Sequence, residues 1–508
     1  MTNRSRLIGI LMATAAGLFA GAAQAGKAND TLTVVWRDAI PNVDPYYNSL
    51  RTGIIFQQHT MDALVYRDPD SFQIKPLLAT SWKQVDEDKL EFELRKGVKF
   101  PNGDPFSADD VVYTLNLISS PEGKVSVPSN YSWIRNAEKI DDNHVRINLK
   151  KPTPAALEFF SMITPIYPKA YREKVGAEGF SKAPMGVGPY KTVKVDGVKQ
   201  IDLVRFDEYY EGSPKGRAKI GKVSIVEVAD SATELAEILG GRADWIWNYN
   251  ADQFENIGRV PTLQAIRSES MRVNYLQMDA AGRSGANNPF TNVKVRQAVL
   301  YAVDRETFAK QMVQGDSKPL DAPCYTSQFG CLQEMAVKYR YDPAKAKQLL
   351  AEAGYPNGFE TELVSYSLDT WIAAVQNYLG AVGIKAKVSQ LQVGAVIQRL
   401  EKGDVPINIG SWGSNSVNDV SAIFPVYYGG GTFDFAHDAE AQKLVEQGGS
   451  TNDVEARKRA YGALIKRVTE QAYWTALATD VKYYAVSKDL NFKPDRDEMP
   501  RWFVSSWK

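Results

Sequence analysis

The sequence predicts an α/β fold, and three observations carry that reading. Between Phe359 and Trp412, strand-like and helix-like stretches alternate in five successive segments. Near residue 107 a strand passes through a turn into a capped helix, and near residue 342 another helix carries start and stop signals at both ends.

In chain order, LEFELRKGVKF places apolar side chains at Leu90, Phe92 and Leu94, breaks at Gly97 and resumes at Val98 and Phe100. That alternation is a half-buried strand followed by a turn. PNGDPFSADDVVYTL then supplies a turn at Asn102 and Gly103 and a helix start, with Ser107 as N-cap and Asp110 as its capping-box partner. In PFTNVKVRQAVLYAVDRETFAKQMV, residues Val295, Ala298, Val299, Ala302 and Val303 fall on one helical face. In DPAKAKQLLAEAGYPNG, Asp342 caps a helix, Pro343 takes its first position, and Gly354 with Pro356 ends it. FETELVSYS reads as a strand, DTWIAAVQNYLGAVG as a helix, IKAKVSQL as a strand, GAVIQRLEKGD as a helix and VPINIGSW as a strand, which makes a parallel unit.

The last of these strands, read as Val405 to Ile409, leads into GSWGSNSV. Trp412, Ser414 and Asn415 therefore lie beyond the carboxyl end of a parallel strand, where open α/β sheets bind ligands. A large flat ring among small polar residues suits a pocket wall; the competing reading is that Trp412 plugs a core and the serines merely form a loop.

The chain starts MTNRSRLIGILMATAAGLFAGAAQAG, with Arg4 and Arg6 ahead of an apolar run and a close at Ala23-Gln24-Ala25. This order reads as a cleaved secretory signal over residues 1–25, rather than an anchor, with no cysteine nearby to carry a lipid. Its removal leaves 483 residues, enough for two or three domains, with 58 basic residues against 60 acidic ones. That balance argues against nucleic acid or an anionic membrane as the main partner. Cys324 and Cys331 are the only cysteines, and in an exported protein so close a pair reads as a local disulfide, a zinc site being poorly served by two thiols without a nearby histidine. His59, His144 and His437 are far apart in sequence and show no metal-binding spacing. There is no GxSxG elbow, Walker loop or dinucleotide glycine loop. A carboxylate pair is the one catalytic arrangement the sequence leaves open.

Seven segments, taken together and in order, resemble the extracellular solute-binding proteins of the peptide, nickel and opine group that serve ABC importers. They are LLATSWKQVDEDKLEFELRKGVKFPNGDPFSADDVVYTL, MGVGPYKTVKV, LVRFDEYYEGSPK, ELAEILGGRADW, NPFTNVKVRQAVLYAVDRE, AEAGYPNG and KYYAVSKDL. The resemblance implies a two-lobed periplasmic-binding-protein fold that closes over a ligand, without covalent chemistry, cofactor or metal. Lobe one would span residues 26–271, with an extra subdomain at about 71–185, and be completed by 486–508; lobe two would span 272–485. The implied partners are a small-molecule or short-peptide ligand and an inner-membrane ABC permease, and the implied protein is a periplasmic monomer. An exported hydrolase, and a sensor or chaperone of the same fold, are the rival classes.

The resemblance also implies ligand contacts from the Trp412 loop, from DPYYNSL, from IWNYN and from SNYSWI. It nominates Tyr47, Asn48, Tyr131, Trp133, Asn248 and Tyr249 alongside Trp412, Ser414 and Asn415. Peptide-binding members carry an aspartate three residues after the loop tryptophan, where it pairs with the peptide ammonium; this sequence has Asn415 there. A small shift of the loop would make Asp419 the anchor instead, and the protein an ordinary peptide binder.

Processing is directly measurable. Intact mass of the exported protein is expected to give a chain starting at Gly26 and lighter by two hydrogens for the Cys324–Cys331 bond, whereas two free thiols in folded material would exclude the pairing.

Overall fold

The computed structural model describes residues 26–48 and 50–508; the secretory signal read at 1–25 lies outside the described residues. Among the described residues, no helix is long and apolar enough to cross a membrane.

The parallel unit forms as the alternation predicts. Phe359–Ser365 pairs in parallel with Ile384–Gln390 on one side and with Ile407–Trp412 on the other, and helices Asp369–Ala381 and Val393–Lys402 make the crossovers. The last strand runs to Trp412 instead of ending at Ile409. Its extra residues are held on one edge by the antiparallel partner Leu263–Met278, through Val273 opposite Trp412.

This unit is one end of a ten-stranded sheet that continues through both lobes. Two long antiparallel strands, Leu263–Met278 and Trp474–Ser487, lie at its middle, and Trp245–Trp247, Thr31–Trp36 and Lys222–Glu227 follow on the lobe-one side. The register of the long pair breaks between Ser270 and Val273, opposite Asp480 and Thr479. The expected second boundary, at Val486, falls beyond this break, where Val486 pairs with Trp245 of the lobe-one sheet.

A separate antiparallel sheet of four strands, within the residues expected for lobe one, has Ala79–Asp86, Lys89–Leu94, His144–Leu149 and Ile134–Asp141 in that spatial order. Leu90, Phe92 and Leu94 point into its core, as their alternation requires. Helix Ala108–Ser119 starts in a full capping box: Ser107 accepts from the Asp109 N–H, while the Asp110 carboxylate accepts from the Ser107 N–H at 2.8 Å. Asp342 likewise caps Pro343–Glu352, accepting from the Lys345 N–H, and Gly354 follows at φ 92°, where a side chain would be strained. Cys324 and Cys331 are joined in a disulfide.

The tail folds back onto lobe one. Trp502 is fully buried between Trp36, Trp245 and His59, with ring centroids 4.6–5.8 Å apart. His59 ties this contact to the backbone: its Nε2 accepts from the Trp502 N–H at 2.9 Å, so its proton sits on Nδ1, which donates to the Ile55 carbonyl at 2.7 Å. Burial drives the His59 pKa down to about 3.

Between pH 6.5 and about 3 the unfolded chain therefore binds a proton at His59 that the folded chain refuses. The stabilisation is complete above pH 6.5 and is lost as pH falls towards 3. Asp44 and Asp244, raised by burial to about 6, and Glu234, raised to about 8, act in the opposite sense. His59→Gln isolates the effect: in thermal or denaturant unfolding from pH 4 to 6, the change of stability per unit rise in pH is expected to be more negative than in wild type by up to about 1.4 kcal/mol. Parallel slopes would mean that His59 is not held neutral.

Candidate functional site

Where the Ile407–Trp412 strand outruns its parallel neighbour, side chains replace the missing ladder. Tyr366 donates its hydroxyl to the Ser411 carbonyl and accepts from the Ser411 N–H, each at 3.0 Å. Two glycines give the strand end its close packing. A Cβ on Gly410 would lie 2.5 Å from the Tyr275 hydroxyl, and one on Gly413 would lie 2.4 Å from the Arg51 guanidinium and 3.0 Å from the Glu498 carboxylate.

Trp412 is half-buried and stands edge-on to Tyr427 at 6.0 Å. Tyr427 packs against Trp474 at 4.4 Å and meets the Tyr275 hydroxyl at 3.0 Å, while Tyr275 stacks flat on Trp474 at 3.7 Å. The result is an aromatic wall with four rings. Four buried polar atoms along it and its loop have no hydrogen-bond partner among the described residues: Trp412 Nε1, Trp474 Nε1, Asn418 Oδ1 and Ser421 Oγ. Buried polar atoms are nearly always paired, so these four are candidate ligand or water contacts.

Beyond Gly413 the backbone enters an unusual conformation. Ser414, Asn415 and Ser416 are consecutive non-glycine residues in the left-handed region, at φ 49°, 50° and 63°. Each costs on the order of 1–2 kcal/mol, and such a run persists only where its surroundings over-determine it. Lobe one does so. Arg51 donates to the Ser416 hydroxyl at 2.5 Å, Arg67 donates to the Ser416 carbonyl, Ser416 donates to the Asp497 carbonyl, and the Asn418 N–H donates to Glu158 at 3.0 Å.

Beneath Gly413 lies a buried charge cluster. Glu498 accepts from Arg272 at 2.9 Å and pairs with Lys482 at 3.1 Å and Arg51 at 3.3 Å. Asp497 pairs with Arg67 at 3.0 Å and Arg501 at 2.6 Å. Burial alone would raise the Glu498 carboxyl, but Arg272, Lys482 and Arg51 outweigh it and hold the carboxyl well below the usual range.

The structure keeps Trp412, Ser414 and Asn415 together in the strand-end loop. Asn415 is half-buried, and among the described residues its amide has no hydrogen-bond partner. Ser414 is buried, with its carbonyl accepting from the Val417 N–H at 2.8 Å. Asp419, the alternative ammonium anchor, has a buried carboxylate bound by Arg457 at 2.8 and 2.9 Å, and it accepts from the Ser421 N–H at 2.9 Å.

The nominated residues of the other segments each have a packing or hydrogen-bonding partner. Asn48 bridges the Asn42 carbonyl and the Leu50 N–H. Tyr131 donates to the Ile163 carbonyl and meets Tyr46 edge-on, and Trp133 donates to the Asn130 carbonyl while packing on Phe159 and Phe160. Tyr249 is buried under Tyr483 and donates to the Tyr484 carbonyl at 3.3 Å. Asn248, at φ 58°, has its N–H on the Tyr483 carbonyl and its own carbonyl accepting from Arg37. Tyr47 is half-buried, its hydroxyl donating to the Gly123 carbonyl at 2.6 Å. No hydrogen bond or ring contact among the described residues joins these six to Trp412 or Asn415.

Sequence reasoning missed Arg51, Arg67, Arg272, Lys482 and Glu498, which grip or underlie the loop. The available signal was the charged run DRDEMPR inside an otherwise apolar tail.

Comparison with known proteins agrees with this architecture. Residues 73–434 match the bacterial extracellular solute-binding proteins, family 5 Middle. The glutathione-binding protein GsiB of Escherichia coli (strain K12) is 28% identical over 511 residues, covering 96% of this chain and 95% of the relative. Heme-binding protein A of Haemophilus influenzae is 27% identical over 474 residues, covering 85% and 83%. In fold, the chain superimposes on the dipeptide binding protein from Pseudoalteromonas sp. SM9913 in complex with Met-Leu with a TM-score of 0.84, at 22% identity and covering 94% of this chain and 100% of that one. The chain belongs to the bacterial extracellular solute-binding proteins of family 5, the two-lobed binding components of ABC importers.

Proposed function

We propose that this protein traps a small peptide-like or amino-acid-conjugate solute against the Trp412 loop, between its two lobes, and delivers it to an inner-membrane permease. It works as an exported periplasmic monomer and leaves its ligand chemically unchanged. The observation that carries this reading is the aromatic wall at Trp412, where the Trp412 indole N–H and the Asn415 amide have no hydrogen-bond partner among the described residues. Relatives whose names specify glutathione and a Met-Leu complex support a peptide-like solute.

The loop offers such a solute neutral hydrogen-bonding groups in place of a free carboxylate. Asp419 is neutralised by Arg457 and Glu498 by three cations, so a ligand ammonium gains no unpaired acid there. A charge-assisted bond is worth about 1.5–3 kcal/mol, and its absence admits solutes whose amine is blocked or conjugated. Closure turns on the register break at Ser270–Val273 and Thr479–Asp480, where the two long strands pass between lobes.

Calorimetry with glutathione, Met-Leu and their N-acetylated forms tests the ligand class. Trp412→Ala is expected to weaken binding by about 2 kcal/mol or more without loss of the fold, and Asn415→Asp to shift preference towards free amines. If Asp419→Asn abolished amine-dependent binding while Asn415→Ala changed nothing, the protein would be an ordinary peptide binder.

Solution scattering tests the trap. A saturating ligand is expected to reduce the radius of gyration, with no product released. A raised melting temperature at unchanged radius would contradict closure, and turnover of the ligand would make the protein an enzyme.

A further inference from the structure

The loop after Trp412 has a second support, on the side away from lobe one. The segment closed by the Cys324–Cys331 disulfide lies along residues 417–420 and pairs with them. The Phe329 N–H donates to the Asn418 carbonyl, and the Phe329 carbonyl accepts from the Val420 N–H, each at 3.1 Å. Gln328, only 3% exposed, uses its whole amide: Oε1 accepts from the Tyr325 N–H at 3.0 Å, while Nε2 donates to the Val417 carbonyl at 2.9 Å and reaches the Asp419 carbonyl at 3.5 Å. Four consecutive residues, 417–420, thus each give a backbone group to this one segment.

The segment is itself anchored. Gly330 turns at φ 82°, and a Cβ there would lie 2.6 Å from the Tyr461 ring and 2.9 Å from Val420. Gln333 receives the Asp321 and Ala322 N–H groups and donates to the Cys324 carbonyl and to Cys331 Sγ. Arg457 lies 4.2 Å over the Phe329 ring while holding Asp419, so one guanidinium clamps both layers. The left-handed run at 414–416 is therefore held from lobe one at Ser416 and Asn418, and from lobe two at 417–420.

We propose that the disulfide-closed segment is the positioning element of the ligand loop, with Gln328 as the positioning residue that transmits it. Opening the covalent loop frees residues 325–331 to fray, which releases the Gln328 and Phe329 bonds and lets the strained run beside Trp412 and Asn415 relax. Binding groups lose effect when their support loosens by even a fraction of an ångström. The inference rests on reading the Trp412 loop as the ligand loop, although its mechanical part can be measured without ligand.

The test uses the full processed chain, with wild type, Cys324→Ala/Cys331→Ala and Gln328→Met, the last removing the amide bonds at similar side-chain length with the disulfide intact. Hydrogen–deuterium exchange is expected to be at least tenfold faster at amides 413–420 in both variants, with the amides of Leu263–Met278 and Trp474–Ser487 still protected. The dissociation constant for reduced glutathione is expected to rise at least tenfold, mainly through faster release. Unchanged loop exchange in both variants overturns the proposal, as does exchange rising uniformly through lobe two with the melting temperature, or a loosened loop with unaltered glutathione affinity. If the double cysteine variant does not fold, Gln328→Met decides by the same criteria. If wild type itself does not bind glutathione, the ligand reading fails, and the exchange pattern alone supports or overturns the positioning role.

Discussion

The junction between the lobes depends on two adjacent acids in the returning tail, Asp497 and Glu498. Between them they take up Arg51 and Arg67 near the start of the chain, Arg272 and Lys482 of the two long strands, and Arg501 of the tail itself. Removing charges from water is expensive, and a buried pair recovers that cost only when its geometry is good and its remaining bonds are satisfied. Here Glu498 accepts from Arg272 through both carboxylate oxygens, while Asp497 takes Arg67 and Arg501. The cluster's contribution is to specify one arrangement. Any displacement of the tail, the crossing strand or the first helix would strand a charge in a place water cannot reach.

The strand-end loop takes its shape from that cluster. Arg51 and Arg67 each contact an acid of the tail and Ser416 of the loop. The same guanidinium groups that close the charge network therefore stabilise three consecutive left-handed residues. A local backbone preference of a few kcal/mol is overruled by a set of charge-assisted bonds of comparable or larger total. If the lobes open as proposed, these partners would separate, and the loop conformation would be coupled to closure of the cleft.

The aromatic wall follows a different logic. Tyr275 and Trp474 stack flat, facing each other from the two long strands, and Tyr427 and Trp412 extend that surface towards the loop. Rings offer large contact area with few rotatable bonds, so ordering them on closure costs little entropy. Neutralisation of Asp419 by Arg457 and of Glu498 by its cations leaves this surface without a free acid. Under the proposed function, a ligand there would be selected by shape and neutral hydrogen bonds.

Local signals determined much of the secondary structure. The alternation at Leu90, Phe92 and Leu94, the caps at Ser107 and Asp342, and the strand and helix periods from Phe359 to Trp412 are set by residues within a turn or two of one another, and the structure has all of them. The position of Trp412 at the end of a parallel strand was legible for the same reason. What surrounds it was not. Tyr131, Trp133 and Tyr249 are buried by partners the sequence does not place beside them, and Asp419 is paired with Arg457, 38 residues away. Arg51 meets Ser416 across 365 positions, and the left-handed run exists only because of such contacts. Periodicity and capping act over a few residues, whereas burial and charge pairing are decided by which remote segments the closed sheet brings together, and that information resides in the tertiary structure alone.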